Sequence, residues 1–217
     1  MVSNPTQPIA PTEATWAYTE DYVPVSDDVR AARDEAIVSG QVPISAGVIA
    51  ALTTLTRAAG ASAVVEIGTQ HGASGMTFLQ AMGRDGVLTS IDAEADYQLG
   101  ARQLFLDAGF PTSRFRLIAG SPIDVVPKLR DAAYDIVFIN GDELEYVEYV
   151  AGAARLLRTG GMLIVHDALW FNQVPDQQHE GDETIIIREA LEAITQAEVY
   201  SQALLPVGNG LLVAVKH

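Results

Sequence analysis

The chain has 217 residues, 48% of them hydrophobic and 19% charged, which suits one domain with a full core and excludes a disordered polymer. Its 13 basic residues are scattered among 28 acidic ones for a formal charge of −15, so nucleic acid, which needs clustered Lys and Arg, is not an expected partner. The absence of cysteine excludes disulfides and thiolate chemistry, and no apolar run approaches the ~20 residues of a membrane span, so a cytoplasmic protein is expected.

Residues 1–14 are rich in Pro, Thr and polar side chains and read as a mobile arm, and 1–5 lack the basic flank and apolar core of a signal peptide. Trp16-Ala17-Tyr18-Thr19-Glu20-Asp21-Tyr22 is aromatic and is expected to lie on the body of the protein or on a second copy. Ser26-Asp27-Asp28 has the composition of a helix start, with acids in the first turn, and the pattern runs to Val38 before Gly40 stops it. A second helix is expected from Ser45 to Ala59, ended by Gly60.

From there strands and helices alternate. Apolar runs predict strands at 63–67, 87–92, 115–119, 135–140 and 161–166, separated by helices near 73–82, 95–108, 122–130 and 143–158. Continuous runs such as Ile136-Val137-Phe138-Ile139 suit parallel strands buried on both faces. A helix near 182–196 follows, then strands at 199–205 and 211–216 flanking Pro206-Val207-Gly208-Asn209-Gly210, a hairpin turn. The expected fold is an α/β doubly wound, seven-stranded, mostly parallel sheet in a single domain, with its last strand antiparallel and extra helices at the N-terminus.

Val64-Val65-Glu66-Ile67-Gly68-Thr69-Gln70-His71-Gly72-Ala73-Ser74 is an apolar strand ending in an acid, then a turn with Gly68 and Gly72 that lets the backbone come close to a ligand. Asp92, twenty residues after Gly72, ends the second strand, where ribose hydroxyls need an acceptor. A nicotinamide cofactor would favour G-x-G-x-x-G and a pyrophosphate without a neighbouring carboxylate, whereas this chain has Gly68-x-x-x-Gly72-x-x-Gly75 led by Glu66. S-adenosyl-L-methionine has no phosphate and carries positive sulfonium and ammonium groups, so an acid at the loop favours it over the oxidoreductase alternative.

These segments resemble the class I S-adenosylmethionine-dependent O-methyltransferases, in particular bacterial relatives of the caffeoyl-CoA and catechol enzymes. The likeness runs from about Val42 to Lys216 and is carried by Val65-Glu66-Ile67-Gly68-Thr69, Leu88-Thr89-Ser90-Ile91-Asp92 and Tyr134-Asp135-Ile136-Val137-Phe138-Ile139. Leu156-Leu157-Arg158-Thr159-Gly160-Gly161 and Leu205-Pro206-Val207-Gly208-Asn209-Gly210-Leu211 extend it. The resemblance implies a Rossmann-like methyltransferase fold with strand order 3-2-1-4-5-7-6, a homodimer and a small hydroxylated acceptor. It also implies that Glu66, Gly68, Thr69 and Ser74 line the methionine end, Asp92 holds the ribose, and Ala93, Ser121 and Pro122 lie by the adenine. Gly72 and Asn140 join the cofactor set, and Val42 matches a position where an N-terminal segment touches the cofactor.

In that family a divalent cation binds the substrate oxygens, held by an Asp after the fourth strand and an Asp-Asn pair after the fifth, with a Lys as base. Here Ile139-Asn140-Gly141-Asp142-Glu143 puts Asn140 and Glu143 at the first ligand and the lysine, and His166-Asp167-Ala168 keeps Asp167 but replaces Asn by Ala168. Hard cations need several oxygen ligands, so no bound metal is expected. Asp142 and Glu143 read more simply as helix N-terminal acids than as replacement ligands. Asn140, Asp167 and His166 are the candidate catalytic residues, with His71 and His179 as further candidate bases because imidazole titrates near neutral pH. His166 and Asp167 should point to opposite faces of a strand and so form a poor dyad. The polar loop 171–181 is positioned to cover an acceptor, and Trp170 and Phe171 either wall its site or anchor the loop. The altered metal and base positions also motivate an alternative, a cofactor-binding protein without catalysis.

Overall fold

The computed structural model describes residues 9–217. Seven strands, β1 (Ala63–Ile67), β2 (Val87–Asp92), β3 (Phe115–Ala119), β4 (Tyr134–Ile139), β5 (Leu157–Val165), β6 (Tyr200–Leu205) and β7 (Leu211–Lys216), form one sheet in the order β3-β2-β1-β4-β5-β7-β6. Pairings from β3 to β5 are parallel, while β7 runs antiparallel to both β5 and β6. The strand order reverses between β1 and β4, the crevice where open α/β sheets bind ligands.

Alternation along the strands splits the core in two. Val64, Leu88, Ile136, Phe138 and Ile164 face one layer, with α2 (Asp27–Val38), α3 (Ala46–Ala58), α4 (Ala73–Ala81) and α5 (Ala95–Asp107) around them. Val65, Ile67, Ile91, Val137, Ile139 and Leu163 face the other, where α7 (Tyr146–Leu156) and α8 (Asp182–Gln196) pack. The central strands are apolar on both faces because both are covered.

Helix starts follow the capping residues. Ser26 accepts from the Val29 N–H at 3.4 Å and Ser45 from the Val48 N–H at 3.1 Å, each relieving an otherwise unpaired first-turn donor. Three boundaries differ from expectation. The helix expected over 122–130 shortens to α6 (Pro122–Val125) and a 3-10 turn (Val126–Lys128), since Pro127 has no N–H for a helical bond. The helix expected from 143 opens with a 3-10 turn (Glu143–Glu145), and Leu157 and Arg158 belong to β5, whose register against β4 shifts near Gly160 and Gly161. The arm expected over 1–14 is interrupted by α1 (Glu13–Glu20), capped by Thr12, while residues 1–8 lie outside the described residues.

A single carboxylate docks α1. Glu20, buried, accepts from the Gly47 N–H in the first turn of α3 at 2.8 Å and from the Gly208 N–H in the β6–β7 turn at 2.6 Å. Gly47 has to be glycine, because an added Cβ would sit 2.6 Å from the Glu20 carboxylate. At the amino ends of the central strands, Asp135 of β4 accepts from the backbone N–H groups of Ser62 and Ala63 and from Arg158.

Glu20→Ala leaves two backbone donors unpaired, so it is expected to cost about 1–3 kcal/mol of stability in urea unfolding. It should also speed amide exchange at Gly47 and Gly208 selectively. Glu20→Gln keeps one acceptor and should recover only part of the loss; full recovery would mean that shape, not hydrogen bonding, docks the helix.

Candidate functional site

The cleft lies at the carboxyl ends of β1, β2 and β4 and encloses about 390 Å³. Its floor exists because of Gly68. The residue sits at φ +93, and a Cβ there would lie 2.1 Å from the Asn140 carbonyl oxygen. No side chain fits, so the loop after β1 folds tightly over the end of β4. Gln70 follows at φ 44, a strained conformation for a residue with a side chain. It is held there because its N–H donates to Asp92 Oδ2 at 2.9 Å and its Nε2 to the Asn140 carbonyl at 3.1 Å.

Asp92 ends β2 with its second oxygen accepting from the Glu94 N–H at 2.9 Å. The carboxylate is thereby aimed before any ligand arrives. Of the residues expected to bind a cofactor, Gly68, Asp92, Ala93, Ser121, Pro122 and Asn140 line the cleft. Thr69 and Ser74, with Asn140, line an adjoining recess of about 10 Å³, room for little more than a water.

Three expected residues are placed otherwise. Glu66 is fully buried beneath the loop and is not part of the cleft wall. Gly72, at φ +82, starts α4 and packs on Ala101 rather than on the cleft. Val42 is 69% exposed and turned outward, although its neighbours Gln41 and Pro43 line the cleft and the recess. Sequence reasoning missed Gln41, Gln70, Tyr97 and Tyr149 as cleft walls. Gln41 donates to the Tyr97 hydroxyl across 56 residues, a pairing that no local pattern announces.

Glu66 anchors a directed hydrogen-bond chain. Gln98 donates to Thr69 Oγ1 at 2.6 Å, and Ser90 donates to Glu66 Oε2 at 2.5 Å. The remaining contact, Thr69 to Ser90 at 2.6 Å, therefore has Thr69 as donor. The Thr69 hydroxyl is thus used up within the protein. Burial pushes the Glu66 carboxyl up to about 7; hydroxyls of Ser74 and Ser90 oppose the rise and the Asp92 charge adds to it.

The cleft is acidic. Asp92, Glu94, Asp142 and Glu145 line it, and no Lys, Arg or His does so among the described residues. Tyr149 also faces it, its hydroxyl donating to Glu145.

Beyond the ends of β4 and β5, Asn140 and His166 meet, with His166 Nδ1 2.7 Å from Asn140 Oδ1. A carbonyl oxygen only accepts, so the imidazole proton sits on Nδ1 and Nε2 keeps its lone pair. Burial lowers the His166 pKa and favours neutral imidazole, against a smaller opposing effect of Asp167. The expected separation of His166 from Asp167 does not hold. β5 ends at Val165 and Asp167 turns left-handed at φ 53, so its carboxylate swings back to 3.4 Å from His166 Nδ1.

The metal ligand set of the resembling family does not fit these residues. Asn140 Oδ1 is engaged by His166, Ala168 is buried and offers no donor atom, and only Asp167 contributes a carboxylate. Among the described residues no group of three or more His, Cys, Asp or Glu is arranged to hold a metal ion. Glu143, at the position of the family's lysine, has its carboxyl raised to about 7, first by burial and then by the charges of Asp167, Asp142 and Glu183.

The other candidates separate from this centre. His71 packs against Tyr97 with ring centroids 5.0 Å apart, and its Nε2 is buried without a partner among the described residues. His179 stays in the loop after β5, 3.7 Å from Asp176. That loop is tied down by Arg188 of α8, which donates to the carbonyls of Gln173, Val174, Asp176 and His179. Trp170 packs against the core while Phe171 stays half exposed, so the two aromatics divide the anchoring and surface roles.

Comparison with known proteins gives this arrangement a family. A family model described as O-methyltransferase matches residues 24–217. A Mycobacterium tuberculosis H37Rv protein named as an O-methyltransferase is 40% identical over 204 residues, covering 94% of this chain and 91% of the relative. A Mycobacterium avium protein with the same type of name is 38% identical over 209 residues, covering 95% and 94%. Among solved structures, a Corynebacterium glutamicum protein superimposes with a TM-score of 0.84 at 32% identity, covering 92% of this chain and 94% of that one. The O-methyltransferase TomG of Streptomyces achromogenes, solved with S-adenosylmethionine, shares the fold with a TM-score of 0.83 at 22% identity, covering 92% and 94%. With the family model spanning everything from α2 to β7 and relatives matching nearly end to end, the chain belongs to the O-methyltransferase family.

Proposed function

We propose that this protein transfers a methyl group from S-adenosylmethionine to a hydroxyl of a small molecule, without the divalent cation used by the caffeoyl-CoA and catechol enzymes. The observation that carries the cofactor assignment is the cleft wall: four carboxylates and, among the described residues, no basic one, at the strand-order reversal. A pyrophosphate would be repelled there, whereas a sulfonium and an ammonium are attracted. When bound, S-adenosylmethionine supplies an electrophilic methyl carbon to an acceptor oxygen. Asp92, its orientation fixed by two backbone donors, accepts from the ribose hydroxyls, and Ser121 and Pro122 flank the base. Glu66 acts from beneath, holding Thr69 and the loop in place through Ser90.

The acceptor proton has to leave as the oxygen attacks. In this reading it goes to His166 Nε2, left unprotonated by the Asn140 hydrogen bond on the other nitrogen, with Asp167 stabilising the imidazolium that forms. A cytoplasmic location and a homodimer belong to the same reading. The latter is supported by the exposed aromatics Trp16, Tyr18 and Tyr22, and no described helix is long and apolar enough to cross a membrane.

Calorimetry should show binding of S-adenosylmethionine and not of NAD, with Asp92→Ala weakening it about 10- to 100-fold, the equivalent of one or two good hydrogen bonds. Unchanged affinity would mean that the ribose lies elsewhere. Turnover to S-adenosylhomocysteine on a panel of phenols and hydroxylated metabolites separates catalysis from cofactor binding alone. Activity should survive EDTA, and Mg²⁺ or Mn²⁺ titration should give no binding that Asp167→Ala abolishes.

Glu66 also makes stability depend on pH. Its folded pKa, about 7, lies above the ordinary 4.5, so its contribution is fully present below pH 4.5 and is lost as pH rises through 7. Glu66→Gln should flatten that fall by an amount on the order of 3 kcal/mol in urea unfolding between pH 4.5 and 8. The slope left in the variant is assigned to Glu143, whose carboxyl is raised to the same region. An unaltered profile would show that Glu66 is ionised in the folded protein well below pH 7.

A further inference from the structure

The acidic cleft attracts the sulfonium and ammonium of S-adenosylmethionine but repels its third charged group, the methionine carboxylate. The recess beside the cleft has the opposite character. The two spaces share Gln70 and Asn140, so a ligand in the cleft can extend into the recess. At about 10 Å³ the recess admits a group the size of a water, such as one carboxylate oxygen, while the rest of the methionine stays in the cleft.

The hydroxyls at the recess are already committed. Thr69 donates to Ser90 and accepts from Gln98. The Ser74 hydroxyl serves Glu66, beneath the loop. Neither can give its proton to an anion without breaking the network that holds the loop.

Arg33 supplies what the hydroxyls do not. It comes from α2, is half-buried, and among the described residues is the one Lys or Arg that lines either space. Its Nε donates to the Ile44 carbonyl at 2.8 Å, which fixes the guanidinium plane beside a second residue of the recess wall. Its two terminal nitrogens have no hydrogen-bond or ion-pair partner among the described residues. A guanidinium held in this way presents a fork that matches a carboxylate. His71 also lines the recess, and its Nε2 is buried without a partner among the described residues. Gly72 caps α4 with no side chain, so the first-turn N–H groups of Ala73 and Ser74, both at the recess, have no capping acceptor.

We propose that Arg33 binds the α-carboxylate of the cofactor's methionine, with the His71 imidazole and the start of α4 completing the anion site, and that Arg33 makes affinity depend on that carboxylate. The inference rests on the S-adenosylmethionine reading and adds to it a specificity residue from the N-terminal helices, outside the loop motif. A cofactor bound this way bridges α2 to the loop after β1.

The test is calorimetry on the full-length protein with S-adenosylhomocysteine and with S-adenosyl-3-thiopropylamine, the same molecule with hydrogen in place of the carboxylate. The wild-type protein should bind S-adenosylhomocysteine at least about 10-fold more tightly. Arg33→Gln should lower that affinity about 10- to 100-fold and leave the affinity for the thiopropylamine within about twofold. This selectivity separates a contact to the carboxylate from a structural role, which would weaken both ligands alike. Arg33→Met keeps the aliphatic stem in its packing and should show the same pattern, guarding against misfolding of the glutamine variant. If the wild-type protein binds neither nucleoside, the cofactor reading falls and this inference with it. If it binds both, this inference alone is overturned by equal wild-type affinities, or by variants that lose both ligands in parallel or lose neither.

Discussion

The site depends on one steric constraint, the contact of Gly68 with the carbonyl of Asn140. Only a residue without a Cβ allows the loop after β1 to lie against the end of β4, and the consequences follow in order. The loop's next residues are forced into a tight path, Gln70 accepts a left-handed backbone, and its N–H reaches Asp92 on β2. Three neighbouring strands are thereby joined at their carboxyl ends by side chain and backbone rather than by ladder hydrogen bonds alone. The cleft is the space that this tight crossing leaves above the sheet. Its position at the reversal of strand order is a matter of topology, but its depth is set by the missing Cβ.

Charge is then arranged in two layers with different roles. Asp92, Glu94, Asp142 and Glu145 line the cleft and act on whatever enters it. Glu66 lies beneath, wholly out of water, where ionisation is costly and its carboxyl is pushed up to about 7. A buried acid of this kind is tolerated because Ser90 donates to it and the chain of hydroxyls leading back to Gln98 is consistently oriented. The same chain immobilises Thr69, so the loop's rigidity and the perturbed acid have a common origin.

Much of this was readable from the residues. Continuous apolar runs gave the parallel strands because a strand covered on both faces has no polar alternation to hide, and Ser26 and Ser45 marked helix starts by supplying the acceptor those turns lack. What could not be read depends on contacts across long sequence separations or on single left-handed residues. The acid leading the loop looked like a cleft residue, but strand alternation turns Glu66 into the helical layer, beside Gly75. Asp167 escaped the strand rule because β5 had already ended. Tyr97, Tyr149 and Gln41 enter the cleft only once α5, α7 and the segment before α3 are folded around it.

In the proposed reading, the centre formed by Asn140, His166 and Asp167 takes the place of the family's metal site. Substituting an amide for a carboxylate after β4 removes a charge that would hold a cation and keeps an oxygen that accepts from His166. Burial then keeps that imidazole neutral, and the left-handed turn at Asp167 returns a carboxylate to its side. A lone Ala at 168 would be a defect in a metal site; beside a neutral, oriented imidazole it is an apolar neighbour that does not compete for the proton. Asn140 and Ala168, two of the departures from the family's metal pattern, are thus both compatible with a centre built around a neutral imidazole.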